Sequence, residues 1–327
     1  MLGFQAIIGH EQIKKNLMNA IEKKQVSHAY ILAGEEGTGR MLLAKTFAMA
    51  LLCEQGGTEP CGTCRSCLQF MSDNHPDVRY VTHEKASIGV DDVRRQIVDD
   101  VPIRPYSSAY KSYIVPDAER MTVQAENALL KTLEEPPEYA VIILITTNAD
   151  SFLPTIRSRC ITLQCKPLVD RAVKDYLMQK LHVPEEEADV CTAFARGNLG
   201  RAVQLAGSED FSVMREKVLR LLKNVKEMDV SQMQAILKDL KETADISMCI
   251  DLMQLWYRDV LMFKATKDMN HFIFKEEFSY IRRLAEQSDF AGLERVLKAM
   301  DRAKVRLDAN VNYELTMELM LLTMKEC

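Results

Sequence analysis

The sequence predicts an α/β domain with a parallel sheet covered on both faces, followed by a wholly helical second half. Short runs rich in β-branched and aromatic residues alternate with helical patterns through the first half of the chain. A glycine-rich stretch, "GEEGTGRM" (Gly34 to Met41), follows the first of these runs. After "RCITLQCKPL" no further β-rich run appears, and amphipathic helical segments continue to the end.

Taken in order, "HEQIKKNLMNAIEKK" repeats Ile13, Leu17 and Ile21 at four-residue spacing, the apolar stripe of a helix. "AYILAG" reads as a short buried strand ending in glycine, and a helix follows from about Gly39. "DVRYVT", "KSYIVP" and "AVIILITT" are the next strands, with helical stretches between them. A domain boundary is expected at Lys166 or Pro167, where the β-rich character ends. A short helical region over 167–207 contains "ARGNLGRAVQLA", whose glycines suggest a turn between helices. Over 208–327, "MCIDLMQLWYRDVLMF" and "LERVLKAMDRAKVRL" carry stripes suited to a bundle.

With 327 residues, 47% of them hydrophobic, the chain is long enough for two or three domains. A net charge of −5 argues against a dedicated nucleic-acid binder. Any DNA contact is then local, for example at Arg94, Arg95 or Arg104, with a solvated helix face as the alternative for each. No charged-then-apolar leader opens the chain, and the longest apolar run, "AVIILI", is too short to span a bilayer. A cytoplasmic location without membrane contact is therefore expected, and with it nine largely reduced cysteines.

The glycine-rich stretch matches the phosphate loop G-x-x-x-x-G-K-[ST] in its backbone but not in its chemistry. Gly34, Gly37 and Gly39 supply the turn that lets N–H groups wrap phosphates at a helix N-terminus. Arg40 stands at the lysine position and Met41 at the Ser/Thr position. Arginine keeps the charge on a bulkier, forked group, and a thioether is a poor ligand for the hard Mg²⁺ ion. The reading is a degraded nucleotide site in which ATP or ADP binding is open and hydrolysis is not expected. A plain glycine turn is the alternative.

"CEQGGTEPCGTCRSC" places Cys53, Cys61, Cys64 and Cys67 at spacing suited to tetrahedral Zn²⁺. Four thiolates close the coordination shell, so the zinc is expected to be structural. His75 in "NHPDV" is the alternative ligand, and with the shell closed it is expected to cap or pack. Cys160, Cys165, Cys191, Cys249 and Cys327 are scattered, and packing is their default.

At "NALLKTLEEPP" (Asn127 to Pro137), with "SHAYILAGEEGTGR", "HPDV" and "IRSRC", the chain resembles the bacterial clamp-loader AAA+ subunits of DNA polymerase III. The resemblance covers the first half by motif and the helical remainder by layout. It implies an AAA+ P-loop domain over 1–166 with a zinc module at 53–67, a small helical lid domain over 167–207 and a helical collar domain over 208–327. In ATP-hydrolysing members a strand ends in Asp-Glu, the first residue holding Mg²⁺ and the second polarising water. Counting back from Asn127 puts Pro116 and Asp117 at those positions, and a one-residue offset puts Asp117 and Ala118 there. Either alignment removes a required group, and a turn cap is the alternative role for Asp117.

The resemblance also assigns roles outside the loop. "IRSRC" matches the motif Ser158, Arg159 and Cys160, whose arginine reaches a neighbour's ATP as a finger in trans. A surface ion pair is the alternative use of Arg159. Thr147 and Asn148 lie where relatives place a phosphate-sensing polar residue, or they cap a turn. Counted from Gly197, a second sensor arginine would fall on Gly200, and the adjacent Arg201 is read as surface. The implied partners are the gamma/tau and delta subunits and, through them, the sliding clamp and primer-template DNA. An active ATPase of the gamma/tau type is the rival reading.

Overall fold

In the computed structural model, which describes residues 3–243, 245–270 and 272–327, the β-rich runs form one five-stranded parallel sheet. Helix α1 (Glu11–Glu22) precedes β1 (Ala29–Ala33), and α2 (Arg40–Leu52) and α3 (Arg65–Met71) lead to β2 (Val78–Tyr80). Helix α4 (Val90–Val93) runs into a π-helical turn over Arg94–Val98. Then come β3 (Lys111–Val115), α5 (Val123–Glu134), β4 (Ala140–Thr146), α6 (Pro154–Arg157) and β5 (Ile161–Gln164). The order across the sheet is β2, β3, β4, β1, β5, and Tyr30 of β1 lies opposite Ile143 on one side and Ile161 on the other.

Side chains alternate between two cores, as the two-residue period of a strand requires. Tyr30, Leu32, Ile143 and Ile145 pack with Leu17, Leu43 and Phe47 beneath α1 and α2. Ile31, Tyr113, Ile142 and Leu144 pack with Val93, Leu129 and Leu133 beneath α4 and α5. Burial on both faces is why these strands read as continuous apolar runs. "DVRYVT" yields only three strand residues, because the Thr82 amide leaves the ladder and donates to Gln96 Oε1 at 2.9 Å.

Contacts divide the chain into two units. The first runs to Leu168 and takes in Asn198–Gly200, and the second comprises Val169–Gly197 and Arg201–Cys327. The second unit is helical: α7 (Asp170–Lys180), α8 (Glu185–Ala195), most of α9 (Leu199–Ala206), α10 (Glu209–Asn224), α11 (Val230–Thr243), α12 (Ile246–Thr266), α13 (Phe278–Gln287), α14 (Phe290–Asp308) and α15 (Tyr313–Lys325). Gly197, at φ 82°, supplies the turn between α8 and α9. Trp256, Tyr257 and Met253 of α12 are buried. The buried Asp259 accepts the amides of Ile273 and Phe274 at 2.8 and 2.9 Å. Among the described residues no helix is long and apolar enough to cross a membrane.

Candidate functional site

The glycine-rich loop lies between the end of β1 and the start of α2, at the carboxyl end of a parallel strand where such sheets bind ligands. Gly37 and Gly39 adopt φ 83° and 90°, conformations that side-chain-bearing residues rarely take. At Gly34 a Cβ would lie 2.6 Å from the Cys165 carbonyl, so glycine is required there by close approach. Thr38 Oγ1 donates to the Glu35 carbonyl at 2.7 Å, and His10 Nε2 lies 2.8 Å from the Thr38 carbonyl.

The loop opens into a cavity of about 660 Å³ lined also by Pro116, Asp117, Glu119, Arg120 and Thr147. The fold therefore brings together the loop, the acidic-motif segment and the sensor position that the sequence singled out. Arg40 and Met41 both line this cavity; Arg40 is 8% exposed, and Met41 also packs against the core beneath α2. Asp117, with φ 45°, is exposed, and its side chain caps nothing; its carbonyl accepts from the Arg120 amide at 2.8 Å.

Sequence reasoning missed one carboxylate at this cavity, Glu119. It accepts the Thr147 hydroxyl at 2.7 Å and the Thr147 amide at 3.2 Å. Burial pushes its pKa up, but these bonds outweigh it and hold the carboxyl below the usual value. The sensor-position side chain is thus already engaged. Asn148 does cap, accepting the Asp150 amide at 2.9 Å. At Gly200, the second sensor position, the amide donates to the Gly37 carbonyl at 2.9 Å, and an added Cβ would meet Gly37 Cα at 2.6 Å. Asn198 Nδ2 likewise donates to the Glu36 carbonyl at 2.5 Å. Position 200 has no room for an arginine, and Arg201 is exposed in the second unit.

Arg159 lies outside that cavity's lining, on the turn between α6 and β5, with its side chain 34% exposed. It pairs with Glu134 at 2.8 Å and donates to the Thr155 carbonyl at 2.9 Å. Glu134 ends α5 inside "NALLKTLEEPP", so that stretch does two things. Its Leu129 and Leu133 anchor the helix to the sheet, and its terminal carboxylate orients the arginine. The buried Glu126 ties the same helix to the N-terminus of α6, accepting the Leu153 amide at 2.8 Å. Ser158 donates to the Thr155 carbonyl at 3.1 Å, and burial pushes the Cys160 thiol up to about 12.

The ligand atoms of Cys53, Cys61, Cys64 and Cys67 all lie within 4.8 Å of one another, and the sulfurs of Cys61 and Cys67 are 3.9 Å apart. Zinc–sulfur bonds of about 2.3 Å in a tetrahedron place sulfurs near such separations, so the donor set fits a closed metal site. The Cys64 amide points at Cys61 Sγ at 3.3 Å and the Cys67 amide at Cys64 Sγ at 3.4 Å, the latter capping α3. N–H groups of Thr63 and Cys64 lower the Cys61 thiol to about 6, whereas burial pushes the Cys67 thiol up.

His75 is not part of that cluster. Its Nδ1 accepts the Asp77 amide at 3.1 Å and its Nε2 meets Ser66 Oγ at 2.9 Å, while Ser66 donates to the Leu52 carbonyl at 2.6 Å. Asp77 in turn accepts the amides of Tyr106, Ser107 and Ser108 at 2.5, 2.9 and 3.0 Å. "HPDV" is thus a buried brace joining α2, α3 and the 106–108 loop. Burial of Cys165, Cys191 and Cys249 raises those thiols to about 11 or 12, consistent with packing. Arg94, Arg95 and Arg104 are exposed.

A family model described as "DNA polymerase III, delta subunit" matches residues 9–169, and one described as "DNA polymerase III, delta subunit, C terminal" matches 209–326. The chain is 33% identical over 325 residues to DNA polymerase III subunit delta' of Bacillus subtilis (strain 168), covering 96% of each. It is 30% identical over 324 residues to the tau subunit of that organism, covering 92% of this chain and 57% of tau. Among solved structures, a gamma subunit-related protein of Thermotoga maritima aligns at 24% identity and a TM-score of 0.41, covering 96% of this chain and 98% of that one.

Proposed function

The chain belongs to the delta-prime family of DNA polymerase III clamp-loader subunits, and on that premise we propose that it is a non-hydrolysing member that lends Arg159 to a neighbour's ATP. The observation that carries this reading is a separation. The chain's own phosphate cavity is lined by Met41 and lacks an Asp-Glu pair at positions 116 and 117, while Arg159 stands outside it on an exposed turn. Without the hydroxyl that ligates Mg²⁺ and the carboxylate that orients water, the loop holds at most a nucleotide it cannot cleave.

The Glu134 pair does not oppose a role in trans. An exposed ion pair is worth about 0–1 kcal/mol, so the guanidinium can exchange a carboxylate for a phosphate at small cost. A charge-dense γ-phosphate accepts two parallel bonds from an arginine. Ser158 Oγ accepts from the Arg159 guanidinium at 3.4 Å, and Cys160 packs against the core beneath α4 and α5.

Zinc at Cys53, Cys61, Cys64 and Cys67 would be a structural ion that fixes the segment between α2 and α3; these residues hold it and none is left to catalyse. The gamma/tau and delta subunits are the proposed partners, with the sliding clamp and primed DNA reached through the assembled complex. The intact glycine cradle and the 30% identity to tau favour one second reading, an active ATPase of the gamma/tau type. ATP turnover by the isolated chain separates the two. The proposal expects phosphate release at the no-protein background with Mg²⁺ present, whereas turnover abolished by Gly39→Val would establish the rival.

A further inference from the structure

A cavity of about 980 Å³ opens in the second unit, where α7, α8 and α12 meet Asn270, Phe272 and Ile273. Its walls carry five cations, Arg171, Lys174, Arg196, Arg258 and Lys275, against two acids, Asp170 and Asp189. That excess of three positive charges (five minus two) lies in a chain whose net charge is −5.

The lysines are accounted for. Asp189 holds Lys174 at 2.6 Å and Lys275 at 3.3 Å, and Glu185 meets the same two at 2.9 and 3.5 Å. Arg171 reaches Asp175 only at 3.8 Å, with both side chains exposed. Arg196 and Arg258 form no ion pair among the described residues. Thr192 lies on the same wall, is 5% exposed, and its hydroxyl has no hydrogen-bond partner among the described residues.

We propose that this cavity binds an acidic peptide segment of another protein, with two carboxylates on Arg196 and Arg258 and an apolar side chain over Leu255. Guanidinium forks suit carboxylates through paired N–H bonds. Leu255, Phe272 and Ile273 give the cavity an apolar underside that a peptide side chain can cover. Duplex DNA carries a charge every ~1.7 Å along its axis and calls for a long row of cations, not one concave pocket.

Fluorescence anisotropy on the full chain tests this with a labelled octapeptide of alternating Asp and Leu, the same peptide with Asn for Asp, and a short labelled oligothymidylate. The expected result is saturable binding of the Asp peptide alone, weakened about tenfold by Arg258→Gln and by Arg196→Asn, the latter chosen because asparagine tolerates the local φ of 49°. Unchanged melting temperatures of both variants exclude unfolding as the cause. In Arg258→Glu, a peptide of alternating Lys and Leu should bind where the Asp peptide no longer does. Equal binding of the Asn peptide, indifference to both arginine variants, or tighter binding of the oligothymidylate would overturn the proposal.

Discussion

The distinction between a residue's type and its partner decides most of what happens at single positions. His75 has metal-ligand chemistry, yet its nitrogens are occupied by Asp77 and Ser66. Burial lowers its pKa from 6.5, against the opposing pull of Asp77 and Glu54, so the unfolded chain takes up a proton that the folded one resists. This stabilisation is complete above pH 6.5 and is lost as pH falls through the lowered folded value. Asp77, lowered from 3.8 because its amide and hydroxyl donors outweigh its burial, gives up its share only in stronger acid. The melting temperature should therefore fall between about pH 7 and pH 5, and His75→Gln should flatten that slope while costing about 1–3 kcal/mol near neutrality. An identical slope in the variant would show that the ring is not linked to folding. None of this was legible from "HPDV" alone, because the partners lie up to 31 residues away.

Elements were more legible, for a reason of range. Strands β1, β3 and β4 appear in the sequence because β-branched runs report burial on two faces, a local property, whereas the edge strands β2 and β5 are partly exposed. The π turn after α4 and the buried Lys111–Asp100 pair at 2.7 Å depend on the neighbouring strand and loop, and no local pattern announces them. Helix α3 is only seven residues long, too short to persist by itself, and is capped by a cysteine sulfur. Cys64→Ser should thus reduce bound zinc from about one per chain to none. It should also remove hydrogen-exchange protection from 65–71 while leaving β1 and β4 protected. Loss of zinc with α3 still protected would mean that the metal does not hold this helix. At the far end, Leu315, Leu319 and Leu322 of α15 are 57%, 45% and 40% exposed at helical spacing, a face suited to a neighbouring helix. Leu315→Asp with Leu319→Asp should leave stability within about 0.5 kcal/mol and abolish co-purification with tau and delta. Normal assembly would place the contact elsewhere.

For the whole molecule, the proposal is that the clamp-loader fold is kept while Arg40 and Met41 stand where a working phosphate loop carries lysine and a hydroxyl. The substitution at Met41 stands in the sequence at a single position, since a thioether is a poor ligand for Mg²⁺. The engagement of Thr147 by Glu119 and the backing of Gly200 onto Gly37 were not readable, because each joins distant segments. Together they describe a loop built into its surroundings, and the proposed function places the chemistry on Arg159 instead. The most direct measurement is DNA-stimulated ATP hydrolysis by the reconstituted complex of this chain with tau and delta, comparing parent, Arg40→Ala with Met41→Ala, and Arg159→Ala. The account predicts parental rates for the loop variant and, with assembly intact, a clear loss of hydrolysis and clamp loading for Arg159→Ala, since such a finger is worth about 10³–10⁵ in rate at the site it serves. Full activity in Arg159→Ala, or loss confined to the loop variant, would contradict it.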